Sequence, residues 1–138
     1  MSAVQTGIPV PVPNPDNQGF WDSCRQHELR LQRCLSCGAW RHQPRPMCPE
    51  CHSLDYEWAR ASGRGTVYTF TVVHGPTLPV FQERAPYNVV VVRLAEGPYM
   101  VSNLIDCPVE DIRIGMSVEV VFDDVSETVS LPKFRAVK

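Results

Sequence analysis

The sequence predicts a mainly β protein with a short N-terminal helix, a small module held together by cysteines, and a closed five-stranded barrel. Three observations support this: two Cys-x-x-Cys pairs, five runs of β-branched and aromatic residues after residue 65, and no pattern for a helix of ordinary length among these runs. With 138 residues, the chain can hold a small module joined to one compact domain. The expected divisions are 1–15 for an arm, 16–28 for the helix, 29–60 for the cysteine module and 61–138 for the barrel.

Residues 1–15 are rich in proline, with proline at positions 9, 11, 13 and 15. Each proline fixes φ and lacks an N–H donor, so this segment is expected to be an extended arm and not a helix. Two interpretations remain open: a disordered terminus, or an arm that becomes ordered only when it lies on a partner.

A short amphipathic helix is predicted after the arm. Asp16 is the candidate N-cap, and Phe20, Trp21 and Cys24 recur at helical spacing within DNQGFWDSCRQH. We expect Phe20 and Trp21 to pack on the body of the protein, with contact to a partner as the alternative.

The strand pattern predicts the fold of the second half of the chain. LRLQRC, before the first cysteine pair, alternates as a short strand, and five further runs follow residue 65: TVYTFTVV, YNVVVVRL, YMVSNLI, SVEVVF and VSLPKF. The uninterrupted run from Val89 to Val92 predicts a strand buried on both faces. Five short strands within about seventy residues favour a small closed barrel of the OB type over a two-sheet sandwich.

Composition excludes several classes of function. The chain has 13 Lys and Arg against 15 Asp and Glu, so it lacks the basic excess that binding to a nucleic-acid backbone requires. It has no apolar run long enough to span a membrane, and its first residues lack the pattern of a secretory signal. We therefore expect a cytoplasmic protein that does not bind membrane and for which nucleic acid is a disfavoured partner.

The six cysteines divide into four paired and two single residues. Cys34 with Cys37 and Cys48 with Cys51 form two Cys-x-x-Cys pairs, with ten residues between them. Each pair forms a tight turn that directs two thiolates toward one point, and two such turns complete a tetrahedron. These four residues are therefore the predicted ligands of a metal ion.

The predicted metal is Zn²⁺, with iron as the alternative. Four sulfur ligands leave no open coordination position, so the site should be structural and not catalytic. The same four thiolates can hold iron and change its redox state, in which case the purified protein would show a visible absorption band. Cys24 and Cys107, which stand alone, are expected to pack as small apolar residues.

No catalytic motif is evident in the sequence. The four histidines lie in neither a GxSxG nor an HExxH motif. His74 ends a predicted strand and should lie at the barrel rim, where a ligand could reach it. The long loop GPTLPVFQERAPYN, which carries Phe81 and Arg84, combines proline with apolar residues, and it suggests a surface that rests against a partner or an acyl chain.

Several segments together carry a resemblance to a known family. They are Phe20-Trp21, Arg33 to Gly38, Cys48 to Cys51, Gly63 to His74, Gly115 to Phe122 and Leu131 to Arg135. In this order they resemble the family of unknown-function domains in which a rubredoxin-like zinc ribbon precedes an OB-fold. The resemblance runs from about residue 16 to the end of the chain. The combination is specific, although no single segment is.

The resemblance implies a function as well as a fold. Members of this family are accessory subunits of thiolase-superfamily enzymes that act on acyl-CoA, including thiolases, acyltransferases and the aldolases of steroid side-chain degradation. Some members accompany acyl-CoA hydratases. The resemblance therefore implies a non-catalytic subunit of a hetero-oligomer in lipid or steroid degradation, with two accessory and two catalytic chains, in which the partner carries out the chemistry.

Residues for binding CoA follow only from this resemblance. The candidates are basic residues around the ribbon and its hinge to the barrel, whose guanidinium groups could meet phosphates: Arg41, Arg45, Arg60 and Arg64.

Two alternatives to an accessory subunit remain open. One is a single-stranded nucleic-acid binder, because zinc ribbons and OB-folds both serve that role, and the other is an electron carrier of rubredoxin type. The acidic C-terminal half of the barrel argues against the nucleic-acid binder.

Overall fold

The computed structural model describes residues 9–137. The predicted class is confirmed: the chain is mainly β, with one short N-terminal helix, a three-stranded ribbon and a barrel. The part of the predicted arm within residues 1–8 lies outside the described residues, and residues 9–14 have no regular secondary structure. None of the helices within residues 9–137 is long and apolar enough to cross a membrane.

Helix α1 spans Gln18–Arg25 and buries Phe20 and Cys24 on one face. Its N-cap is Asn17 and not the expected Asp16. The residues before α1 form a turn in which Asn14 Oδ1 accepts hydrogen bonds from the backbone amides of Asp16 and Asn17, and this turn determines where the helix begins.

Three short strands form the ribbon: β1 (Arg30–Cys34), β2 (Trp40–Arg41) and β3 (Tyr56–Arg60). They are antiparallel, in the order β2-β1-β3. Strand β1 matches the predicted LRLQRC strand, whereas β3 was not expected. Helix α1 lies so close to β3 that a Cβ atom built on Gly19 would stand 2.4 Å from the Trp58 indole.

The barrel follows the ribbon after a short hinge. Its strands are β4 (Arg64–Val73), β5 (Tyr87–Leu94), β6 (Tyr99–Ser102), β7 (Leu104–Ile105), β8 (Ser117–Asp124) and β9 (Ser130–Ala136). The one-turn helix α2 (Pro79–Gln82) lies in the loop between β4 and β5, and a 3-10 turn spans Val109–Asp111.

The barrel closes because one predicted strand is divided in two. The sheet order is β6-β5-β4-β8-β9-β7, so β6 and β7, which are separated only by Asn103, stand at opposite ends of it. Strand β6 pairs with β5, while β7 pairs in parallel with β9. The five predicted strands therefore form a five-stranded barrel, in which the third strand is bent at Asn103 and joins both ends of the sheet.

One continuous core joins the helix, the ribbon and the barrel. Barrel residues such as Val90, Val92 and Phe134 are fully buried and belong to the same cluster as Phe20 of α1 and Leu31 of β1. Burial raises the pKa of the Cys24 thiol to about 12, so this residue packs as a neutral apolar group, as expected. Cys107 is half-buried beside the same core.

Strand β5 differs from its prediction. Val90 and Val92 are buried, but Val89 and Val91 are only half-buried. The uninterrupted valine run therefore does not mark a strand covered on both faces. Its outer face is only partly covered by neighbouring side chains, which leaves an apolar surface on the barrel.

Candidate metal centre and its surroundings

The two Cys-x-x-Cys pairs form turns of the same geometry. Cys34 ends β1, and the Gly38 amide donates a hydrogen bond to the Cys34 carbonyl at 2.9 Å. In the second turn, the His52 amide donates to the Cys48 carbonyl at 2.9 Å. Gly38 has a φ of 77° and His52 a φ of 66°, so in each turn the residue after the second cysteine adopts the left-handed conformation.

The four sulfur atoms converge, as the spacing predicts. All four Sγ atoms lie within 4.8 Å of one another, with Cys34 to Cys51 at 3.5 Å and Cys37 to Cys48 at 3.6 Å. A tetrahedron of sulfurs with Zn–S bonds of about 2.3 Å has edges of about 3.8 Å, so this donor set fits a zinc ion without rearrangement. All four cysteines are free thiols and not disulfides.

The backbone lowers the pKa of the first cysteine in each pair. The Cys37 amide donates to the Cys34 sulfur at 3.4 Å and lowers the pKa of that thiol to about 6. The Cys51 amide similarly lowers the pKa of Cys48. The pKa of Cys37 is lowered by the Ala39 amide, but desolvation and the neighbouring sulfurs outweigh this and raise it to about 12. The site thus favours thiolate at the buried cysteines.

Hydrogen bonds between the two turns and within the second turn hold the sulfurs in place. Ser36 Oγ donates to Ser53 Oγ at 2.9 Å, and the Cys48 amide donates to the Ser53 carbonyl at 2.9 Å. Arg33 lies beside the first turn, with its Nε donating to the Gly38 carbonyl at 3.4 Å. The centre is therefore supported by further contacts from both turns.

The arginines named for CoA do not form one cluster. Arg41 is buried, with 5% of its surface exposed, and its guanidinium is bonded within the ribbon. Arg45 is exposed beside it. Arg60 and Arg64 are exposed at the hinge, where Arg60 Nη1 lies 3.9 Å from Glu28 Oε2 and Arg64 stands across from Glu119.

All but one of the residues named for contact with a partner or an acyl chain line two adjoining grooves. Trp21 lines a groove of about 370 Å³ between α1 and the barrel, and it contacts the buried Phe20 edge-on at 4.9 Å. Phe81 and Arg84 line a second groove of about 370 Å³. Lys133 lines both grooves, and His74 is exposed outside them.

Sequence reasoning missed one exposed apolar face. Tyr68 and Tyr99 contact each other edge-on at 4.9 Å on the outside of the barrel and are 56% and 45% exposed, and Val101 is 64% exposed on the same strand as Tyr99. We call these three residues the outer barrel face. The alternation of YMVS could have indicated it, since Tyr99 and Val101 stand two residues apart and share a side of the strand.

Comparisons with known proteins agree with this architecture. The rubredoxin-like zinc ribbon domain of ChsH2 matches residues 21–57, and the ChsH2 C-terminal OB-fold domain matches residues 58–123. A DUF35 domain-containing scaffold protein from Pyrococcus furiosus is 40% identical, over 78% of this chain and 79% of its own length.

Two further matches extend the comparison. A probable enoyl-CoA hydratase alpha subunit from Thermomonospora curvata is 39% identical over 92% of this chain, which spans 39% of that longer protein. The solved structure of the Ltp2-ChsH2(DUF35) aldolase superposes with a TM-score of 0.84 at 38% identity, over 92% of this chain and 98% of the matched chain. The chain belongs to the DUF35 family.

Proposed function

We propose that this protein is a non-catalytic accessory subunit that binds and stabilises a thiolase-superfamily enzyme acting on acyl-CoA, such as a thiolase, an acyltransferase or a retro-aldol lyase. The observation that carries this proposal is the match over 98% of a chain in the Ltp2-ChsH2(DUF35) aldolase. The relative named as an enoyl-CoA hydratase alpha subunit supports the same class of substrate. Assembly with the catalytic chain gives a hetero-oligomer, with two copies of each subunit.

His27, Asp124 and Ser130 meet at the edge of the barrel and have the residue types of a catalytic triad. Asp124 Oδ1 accepts hydrogen bonds from Ser130 Oγ and from His27 Nε2. The carboxylate stands between the other two groups, so the imidazole does not contact the hydroxyl that it would have to deprotonate. The arrangement joins the end of α1 to the barrel and does not create a nucleophile.

The metal centre supports a scaffold. Cys34, Cys37, Cys48 and Cys51 would hold Zn²⁺ in a closed site, whose contribution is folding free energy for a ribbon that has little core of its own. Free thiols at six positions suit a reducing compartment, and we place the complex in the cytoplasm.

The outer barrel face is the surface that we assign to the catalytic partner. Tyr68, Tyr99 and Val101 form an exposed apolar patch, and aromatic residues are enriched where protein partners meet. The exposed guanidinium groups of Arg45, Arg60 and Arg64 remain the candidates for contact with CoA phosphates. Arg41 is less suitable, because its guanidinium is already bonded inside the ribbon.

The test is co-expression of this chain with a thiolase-superfamily enzyme encoded beside it, followed by size-exclusion chromatography and an acyl-CoA turnover assay. We expect one hetero-oligomeric peak, with turnover that falls when this chain is omitted. Separate migration of the two chains at micromolar concentration, together with full activity of the enzyme alone, would contradict the proposal.

A further inference from the structure

Lys133 lies where the two grooves of the barrel meet. The groove lined by Trp21 and the groove lined by Phe81 have three residues in common: Asn103, Leu131 and Lys133. Phe134, the next residue of β9, is fully buried in the core, so the Lys133 side chain leaves the opposite face of the strand, where the grooves lie. Lys133 is half-buried there, and neither the metal centre nor the outer barrel face uses its charge.

The ammonium group has little compensation for its loss of water. Lys133 Nζ donates one hydrogen bond, to Asn103 Oδ1, and two of its three N–H donors have no protein partner within residues 9–137. No carboxylate in that part of the chain forms an ion pair with it. Burial lowers its pKa, Asp123 opposes this shift, and the Arg84 guanidinium adds to it. A lysine in such surroundings ordinarily pairs with an anion.

The groove lined by Phe81, which we call the Phe81 groove, carries an excess of positive charge. Its charged residues are two cations, Arg84 and Lys133, and one anion, Asp123, so the formal charge of the lining is +1. The rest of the wall is mainly apolar and consists largely of Phe81, Tyr87, Leu104, Ile105, Val125 and Leu131. A wall of this kind fits a molecule that has one negative charge and a hydrocarbon body.

We propose that the Phe81 groove binds a carboxylate with an apolar body, and that a carboxylate oxygen accepts a hydrogen bond from Lys133 Nζ. Arg84 is exposed at the same groove and adds attraction through its charge, without a required contact. A phosphate monoester carries nearly two negative charges at pH 7, which exceeds the excess charge of the lining. At the roughly 30 Å³ that a water molecule occupies in the liquid, a groove of about 370 Å³ accommodates about a dozen non-hydrogen atoms.

This site differs from a contact with acyl-CoA. The acyl group of an acyl-CoA is a neutral thioester, which would leave the Lys133 ammonium group unpaired, whereas a free carboxylate pairs with it. The candidates for contact with CoA phosphates, Arg45, Arg60 and Arg64, lie outside both grooves. The inference therefore goes beyond the proposed function, and the full chain without a catalytic partner is sufficient to test it.

The test is an NMR titration of the zinc-loaded, ¹⁵N-labelled full chain with octanoate, octanamide and octylammonium, three probes with similar hydrocarbon bodies. We expect octanoate to give saturable shifts of the amide signals of Leu104, Ile105 and Lys133. Octanamide and octylammonium should require at least about tenfold higher concentration for the same shift, because neither provides a negative charge. No response to octanoate, or equal responses to octanoate and octanamide, would overturn the proposal.

Substitution of Lys133 tests whether this residue supplies the charge. Lys133→Met keeps a long apolar side chain and removes the ammonium group, so octanoate should bind at least about tenfold more weakly, while octanamide binds as it does to the wild type. Lys133→Arg keeps the charge and should keep the preference for octanoate. Arg93→Met is the matched control for net charge, because Arg93 is exposed and lies outside both grooves. Unchanged octanoate affinity in Lys133→Met would contradict the assignment.

The source of the carboxylate is distinguished in the same titration. Octanoate stands for a small molecule, and N-acetyl-leucyl-leucine stands for the C-terminus of a protein. Binding of this peptide that is about tenfold tighter than that of octanoate assigns the groove to a protein C-terminus. Equal or weaker binding of the peptide assigns the groove to a small carboxylate.

Discussion

The side chain of Asn88 replaces a strand partner for Leu104. Asn88 Nδ2 donates to the Leu104 carbonyl at 2.8 Å, and Asn88 Oδ1 accepts the Leu104 amide at 2.7 Å. Both residues are buried, and they lie on β5 and β7, the strands that meet where the barrel closes. A single amide group thus completes the hydrogen bonding at the bend of the third strand.

We predict that Asn88→Leu destabilises the protein strongly. The substitution leaves a buried N–H and a buried C=O of Leu104 without partners, so the free energy of unfolding should fall by about 2–5 kcal/mol. Urea denaturation of the zinc-loaded protein measures this. Asn103→Ala, which removes the half-buried bonds to the Asn88 carbonyl and from Lys133 Nζ, should cost less. If Asn88→Leu left the protein as stable as the wild type, these two hydrogen bonds would not be what closes the barrel.

Loss of one metal ligand should unfold the ribbon. Cys34→Ser removes a thiolate from the four-sulfur set, and structural zinc contributes about 10 kcal/mol or more to the folding of small zinc modules. We expect metal content to fall well below one ion per chain and assembly with the catalytic partner to be lost. Elemental analysis and size-exclusion chromatography measure the two effects. Cys107→Ser, outside the metal centre, is the matched control, and normal assembly of Cys34→Ser would refute a structural metal.

The contact between His27 and Asp124 should make stability depend weakly on pH. The Ser130 hydroxyl and the His27 ring lower the pKa of Asp124 below the ordinary value of 3.8. Because the pKa of Asp124 is lower in the folded state than in the unfolded state, its ionised form stabilises the folded state at pH values above the unfolded-state pKa. This stabilisation is lost as the pH falls through the folded-state pKa. Both side chains are more than half exposed, so screening limits the effect to about 1 kcal/mol or less.

The measurement compares Asp124→Asn with Asp123→Asn by urea denaturation from pH 7 down to pH 3. Asp124→Asn should be the less stable variant near neutral pH, and the two curves should converge at acid pH. A difference that is constant across the range would point to the lost hydrogen bonds and not to the charge of Asp124.

Gly19→Ala should destabilise the protein, although alanine is the better helix former. The added Cβ would stand 2.4 Å from the Trp58 ring, and overpacking of this kind costs about 1–3 kcal/mol, against a gain of about 1 kcal/mol from helix propensity. Thermal unfolding measures the net change. In a double-mutant cycle, Trp58→Phe provides space and should reduce the penalty. Stabilisation by the single change would mean that α1 does not lie so close to β3.

The outer barrel face should be sensitive to charge if it contacts the catalytic partner. Val101→Asp places a carboxylate in the patch of Tyr68 and Tyr99, and we expect at least about tenfold weaker assembly, since a desolvated unpaired charge opposes binding. Ile114→Asp is the matched control, because Ile114 is 68% exposed and Val101 is 64% exposed. Titration of each variant into the partner by calorimetry measures both, and equal affinities would exclude this face from the interface.

Local spacing alone predicts the convergence of the four cysteines and the order of the barrel strands. Two residues lie between Cys34 and Cys37, and a spacing this short lets the backbone alone direct both sulfurs to one point. The predicted strands likewise show β-branched and aromatic residues, and in several cases a two-residue alternation, within each short segment. The segment YEWAR, which forms β3, shows the same two-residue alternation, because Tyr56 and Trp58 share one face and Glu57 lies on the other. It was nevertheless not predicted as a strand.

Burial and barrel closure depend on tertiary contacts that the sequence does not show. Val89 and Val90 are identical residues in one run, yet only Val90 is fully buried, because its side chain belongs to the core cluster of the barrel while Val89 lines an open groove. The isolated sequence shows Arg41 and Arg45 as equivalent cations. The Arg41 side chain is buried and the Arg45 side chain is exposed, since Gln32 Oε1 and the Tyr56 ring contact only the guanidinium of Arg41. Such differences arise from contacts between residues distant in the chain, and local spacing carries no information about these contacts.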